Sequence, residues 1–163
     1  MLNLVTKARL TFRSVLMVIL VAAAVWASSQ LERARKEVDT AFRARQPFVL
    51  VVTGSGEKAT DTSEAYADWA EYLNAFRTQA DSRVKIVKVT ALQYPEFITG
   101  PKLKDQYATL FVRDAGHVLL YDGMILEPQV YRLGLAYLQG HPDEKANPVN
   151  GLKEATIRRR WAK

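Results

Sequence analysis

One stretch of the chain has the residue types for phosphate chemistry: Gly54-Ser55-Gly56-Glu57-Lys58, behind the apolar run Phe48-Val49-Leu50-Val51-Val52. A phosphate-binding loop needs a lysine directly after its last glycine and a hydroxyl directly after that lysine. Backbone amides cradle the phosphates while those two side chains reach phosphate and magnesium. Here Glu57 separates Gly56 from Lys58, Ala59 follows the lysine, and the Glu57 carboxylate would face the phosphates. Nucleotide is not an expected ligand. Lys58 and Asp61 could pair across one helical turn, but capping and solvation account for both. His117 and His141 are isolated histidines without carboxylates at ligand spacing, so no metal site is expected and both read as solvated surface residues. The absence of cysteine removes disulfides, thiolate nucleophiles and cysteine-metal sites together. The expectation is a chain with no catalytic residue, no metal and no cofactor.

The elements that would carry these residues follow from periodicity. The run 48–52 is apolar at every position and three of its residues are valine, which predicts a strand buried on both faces in the centre of a sheet. After the loop 53–61 a helix begins with Asp61 or Thr62 as cap, and Tyr66, Trp69, Ala70, Leu73 and Phe76 line one of its faces. Those aromatics, with Tyr72, read first as core and only second as a ligand box. Residues 84–91 alternate Val84, Ile86 and Val89 with lysines as a second strand, and a link with Pro95 and Pro101 includes a short helical turn. Two strands then flank Asp114-Ala115-Gly116, a hairpin signal, and 127–140 form a closing helix with Pro128 in its first turn. This order predicts an α/β fold, a mixed sheet flanked by helices whose last two strands pair antiparallel.

Charge separates the domain from its flanks. Residues 47–140 carry nine basic and eleven acidic side chains, whereas residues 1–14 carry three and none, 30–46 five and three, and 141–163 six and three. Nucleic-acid binders need their basic face on the domain itself, so no nucleic acid is expected, and basic flanks suit a membrane surface better. Residues 15–27 are thirteen apolar residues in a row after Lys7, Arg9 and Arg13. They read either as a cleaved signal peptide or as a retained anchor. The anchor is favoured because bulky Trp26 sits where a cut would need small residues, and because helix formers continue unbroken to Pro47. Between 30 and 46, Leu31, Ala34, Val38, Ala41 and Phe42 recur at helical spacing. That stripe is either a docking surface for a partner helix or a face that packs on its own domain.

The order of elements resembles the thioredoxin fold, with the resemblance carried by residues of 47–140. Phe48–Val52 stands for the family's first strand, Val84–Pro95 for its second strand and link, and Tyr107–Ile125 for its hairpin, with Thr109, Leu110, the turn at Gly116 and Gly123 near their expected places. The departures matter more. Laid over the family pattern, the two cysteine positions become Lys58 and Asp61, the buried acid becomes Val52 and the cis-proline becomes Ala108. The resemblance therefore implies a redox-inactive member, not an enzyme, that binds at the old substrate edge. That edge would be built from Ser55, Glu57, Tyr107, Ala108 and Gly123, with an exposed backbone donor and acceptor at Tyr107. The expected organisation is a membrane anchor over 1–29, a juxtamembrane helix over 30–46, the thioredoxin-like domain over 47–140 and a basic tail over 141–163. The expected role is an accessory or assembly subunit of an envelope membrane protein complex. It would sit in the inner membrane with the domain in the periplasm, since the first flank has no acid and resembles an export signal. Its expected partners are the bilayer and that complex, docked through Leu31, Ala34, Val38 and Phe42 with specificity from the old corner. A small-ligand protein or enzyme using the loop 53–61, or a cleaved soluble periplasmic protein, are the alternatives.

Overall fold

The computed structural model describes residues 2–55, 61–80, 84–100, 102–141, 151–158 and 160–161, with side chains from residue 14 onward. The chain divides into two compact units, Met1–Arg33 and Ala34–Lys163. The dividing point falls inside the first helix, α1 (Leu2–Arg43), a stretch free of glycine and proline.

Within the first unit the large apolar side chains from Val15 to Trp26 are 47 to 70% exposed. Ser14–Arg43 is the one segment among the described residues long and apolar enough to cross a membrane. Helix α1 ends in the second unit with a tight reversal. Gln46 N–H donates to the Ala41 carbonyl and Arg45 N–H to the Phe42 carbonyl, each at 3.0 Å, while Arg45 takes φ 51°. This pair of bonds is a Schellman cap, whose left-handed position usually belongs to glycine. Pro47 then prevents any continuation.

The second unit is an α/β structure built on a mixed, curled six-stranded sheet. Its strands are β1 (Phe48–Thr53), β2 (Lys85–Thr90), β3 (Ile98–Thr99), β4 (Ala108–Asp114), β5 (His117–Asp122) and β6 (Leu152–Ile157), in the order β2-β1-β4-β5-β6-β3. Only β1 and β2 run parallel; the other neighbours are antiparallel. The helices are α2 (Glu64–Gln79), the single turn α3 (Tyr94–Phe97) and α4 (Pro128–Leu138). Parity along the strands assigns two faces. Val49, Val51, Phe111 and Leu119 pack with Trp69 and Phe76 of α2 and with Val130, Tyr131 and Leu138 of α4. Residues of the opposite parity, Phe48, Leu50, Val52, Leu110, Val112 and Leu120, are buried too. The buried residues left to cover them are Ala34, Val38 and Ala41 of α1 and Tyr94 and Phe97 of α3.

Three features differ from the sequence reading. The cap of α2 is Ser63, whose hydroxyl accepts Tyr66 N–H at 3.2 Å, while Asp61 sits outside the helix and accepts Ser63 N–H at 2.8 Å. The segment after Gly140 is not only a tail, because β6 enters the sheet between β5 and β3. The sheet-bearing unit begins at Ala34, so the last turns of α1 belong to it. The apolar stripe explains this, since a face that packs on the sheet is part of the core.

Candidate functional site

The corner at the end of β1 is where the sequence pointed. Gly56 to Thr60, which include Glu57 and Lys58, lie outside the described residues, so the site is seen through its two ends and its floor. At one end Ser55 N–H donates to Gln106 Oε1 at 3.3 Å. At the other, Asp61 Oδ2 accepts the Tyr107 phenol at 3.4 Å. The floor is aromatic: the Tyr107 ring stands 5.8 Å from Tyr66 and 5.4 Å from Trp69, centroid to centroid, and Tyr66 and Trp69 meet at 5.7 Å. Burial raises the Tyr107 phenol above its ordinary value, and the Asp61 carboxylate raises it further. The phenol therefore stays protonated at neutral pH and acts as a donor to Asp61 rather than as a base.

The backbone of Tyr107 is occupied. Its N–H donates to Asp105 Oδ1 at 3.3 Å, and its carbonyl accepts Gly123 N–H at 2.8 Å. Gly123 reaches that carbonyl with φ 120°, a region that favours glycine. The expected exposed donor and acceptor at Tyr107 are thus corrected, because both groups are satisfied inside the chain and Tyr107 and Ala108 are buried. The bond before Ala108 is trans, since no cis peptide occurs among the described residues. Sequence reasoning overlooked the two carboxylates that tie the approach to β4. Asp122 accepts Lys104 N–H at 2.9 Å and Asp105 N–H at 3.3 Å, and Asp105 accepts Gln106 N–H at 2.6 Å. An aspartate ahead of a strand, able to accept from the next backbone amides, was the available signal. Burial, with Asp122 adding to it, pushes the Tyr94 phenol up to about 12.

The stripe on α1 divides. Ala34 and Val38 are covered by the chain itself, Val38 to 1% exposure, and Ala41 is sealed with them. They are withdrawn from any docking face, which corrects that assignment: an apolar row at helical spacing buries itself on the nearest apolar sheet when one is present. Phe42 is half-buried and meets Phe48 edge-on at 5.4 Å. Leu31 is half-buried in the other unit.

Elsewhere the chemistry is thin. His117 is exposed and its Nδ1 lies 2.8 and 2.9 Å from the two oxygens of Asp114. Burial alone would raise Asp114, but His117, the Gly116 N–H and Arg113 together outweigh it and hold the carboxyl below the usual range. Among the described residues no three His, Asp or Glu side chains gather as a metal site would need. A cleft between α2 and α4, lined by Tyr72, Phe76, Tyr131, Arg132 and Leu135, holds about 60 Å³. That is far below the several hundred Å³ of a typical small-molecule site. Comparison of the chain with protein-family models, with curated proteins and with solved structures finds no match.

Proposed function

We propose that the chain is a non-catalytic, membrane-anchored interaction module with a thioredoxin-like build, serving as an accessory or assembly subunit of an envelope membrane protein complex. The observation that carries this reading is the exposed apolar surface from Val15 to Trp26. A helix apolar all round needs lipid or another apolar helix as its surroundings. The thioredoxin-like part of the reading draws support from the strand order β2-β1-β4-β5, with α2 crossing between the parallel pair and α4 after the hairpin. In this reading β6 and β3 are additions at the far edge, and the corner has lost its thiols along with the free backbone at Tyr107. With Ala34, Val38 and Tyr107 used internally, the span itself becomes the main partner-binding surface, with Leu31 next to it in sequence. The acid-free first flank favours an N-terminus in the cytoplasm and a periplasmic domain.

The test is fractionation followed by capture. Retention in carbonate-washed membranes, a periplasmic protease-accessible domain and co-purification of membrane subunits in mild detergent are expected. A soluble form beginning at Ser28 would overturn the anchor. A second reading, small-ligand or enzymatic use of the loop 53–61, has in its favour the Asp61 and Tyr107 pair over an aromatic floor. A rise in melting temperature with a metabolite, lost in Tyr107→Phe, would favour it over the first.

A further inference from the structure

The two edges of the sheet differ in length. β3 offers two residues, whereas β2 offers six and pairs with β1 alone. Along a parallel strand the N–H and carbonyl of successive residues point alternately toward the partner and away from it, and at an edge the second set is left open. Ala91 N–H donates to the Thr53 carbonyl at 3.1 Å, and the Val89 carbonyl accepts the Thr53 hydroxyl at 3.4 Å, so the odd-numbered residues of this strand face β1. Thr90 turns the other way. Its N–H donates to Gln93 Oε1 at 3.1 Å and its carbonyl accepts Gln93 N–H at 2.9 Å. By the same alternation Ile86 and Lys88 each present an N–H and a carbonyl away from β1, and none of these four groups has a partner among the described residues. The strand that carries them is held firmly, since Val87 and Val89 are buried. Lys85 and Lys88 are exposed, and neither makes an ion pair among the described residues. Leu92, in the turn that Gln93 closes, is 82% exposed.

We infer that the outer edge of β2 is a docking site for an extended acidic segment of a partner protein, added to the sheet as a further strand. The site belongs to the second unit and holds whether or not the first helix spans a membrane. Main-chain bonds to Ile86 and Lys88 supply attachment, and the side chains alongside choose the partner. Gln93 sets the limit, because it already fills the place at Thr90. Lysines on an edge are a usual device against unwanted pairing, and they act through charge. A second copy laid on this edge would bring two more lysines and no acid, since Lys85–Thr90 contains none. Like charges across neighbouring strands are destabilising, so the edge discourages its own kind. An acidic strand meets the opposite condition. It can set one carboxylate toward Lys88, on the face that Val51 shares, and another toward Lys85, on the face that Phe48 shares. Leu92 offers the end of that strand an apolar contact. Nucleic acid would match the lysines but not the alternating donors and acceptors between them.

The test uses the full-length protein in an uncharged detergent. The probe is a fluorescein-labelled peptide of valine, threonine and glutamate with glutamate on both faces, set beside a counterpart with lysine for glutamate, and anisotropy reads binding. The acidic peptide is expected to bind several-fold more tightly than the basic one. The preference should vanish in Lys85→Gln/Lys88→Gln and reverse in Lys85→Glu/Lys88→Glu, and both positions are exposed, so the variants should fold. Backbone pairing is read from the probe itself. A strand offers β2 only every second N–H, so methylating one alternate set of peptide nitrogens should abolish binding and methylating the other set should spare it. No binding of the acidic peptide, equal binding of the two peptides, or affinity that neither methylated set reduces overturns the inference. A dimer in sedimentation that the peptide splits also overturns it, since the edge then belongs to a second copy.

Discussion

The two faces of the sheet are buried equally well but by different means. Against α2 and α4 the contact is made by large rings at set angles. Phe76 meets Phe111 at 5.9 Å and 69°, and Tyr131 at 5.7 Å and 40°. Gly134 of α4 comes so close to Phe111 that a Cβ there would fall 2.2 to 2.5 Å from three ring carbons. Against α1 the cover is small and aliphatic, Ala34, Val38 and Ala41, joined by Tyr94 and Phe97 from the single turn of α3, and its rim is fastened by ions around Glu96 and by the stacked Trp161. One face is held by shape, the other by burial plus fastenings at its margin. Mutation and salt should therefore act on them differently.

The largest effect is expected where shape is tightest. Gly134→Ala gains about 1 kcal/mol of helix propensity but drives a methyl into Phe111. A net loss of about 1 to 3 kcal/mol is expected from overpacking, and Gly134→Leu should leave little folded protein. Denaturant unfolding measures both, and an alanine variant as stable as the parent would break the claim that this face depends on shape. Next comes the fastened rim. Trp161→Ala removes a stacked ring and an indole hydrogen bond to the Glu96 carbonyl, and should cost about 1 to 2 kcal/mol. Glu96→Gln leaves Arg35 and Arg160 facing each other without their shared anion, so its cost should shrink as salt is raised. A Gly134→Ala cost that tracked salt, or a Glu96→Gln cost that did not, would undo the contrast between the faces.

What could be read from the sequence follows the same division. Phe48–Val52 announced a central strand because no position in it tolerates water, and Asp114-Ala115-Gly116 announced its hairpin through local turn chemistry. Pro128 opened α4 as expected. These are signals contained within a few residues. The strand Leu152–Ile157 was not legible, since Lys153, Glu154 and Thr156 are exposed and only Leu152 and Ile157 are buried. Its identity depends on β5 and β3, which lie far off in sequence. The stripe on α1 was visible as apolar, but periodicity states which face wants cover and not what covers it. At the corner, the absence of cysteine was plain, whereas the capture of the Tyr107 backbone by Asp105 and Gly123 needed the fold.

Two smaller effects sharpen the picture at the margins. Arg45 holds a left-handed conformation at the cap of α1, a choice that costs a non-glycine residue about 1 to 2 kcal/mol. Arg45→Gly should raise stability by about 1 kcal/mol, offset in part by unfolded-state entropy, and thermal unfolding can detect it. At the hairpin, the depressed carboxyl of Asp114 contributes stability that is complete above the ordinary aspartate value of about 3.9 and lost as pH falls through its lower folded value. Because more than half of this side chain is exposed, solvent screens the pair and the effect is small. Asp114→Asn should flatten that part of the acid-unfolding curve and leave stability at neutral pH nearly unchanged.

The strand β3 pairs with β6 and lies at the sheet's edge, yet it is made long before its partner. As the chain leaves the ribosome, β2-β1-β4-β5 with α2 and α4 can assemble as soon as Leu138 is clear, while Ile98 and Thr99 wait for Ile157 and Thr156. Closure of the α3 side then follows assembly of the other four strands during vectorial synthesis. A chaperone that recognises unfinished sheet edges has its longest window on this side of the molecule, and a ribosome stalled short of Leu152 would release a product whose aromatic half can fold while its ionic rim stays open.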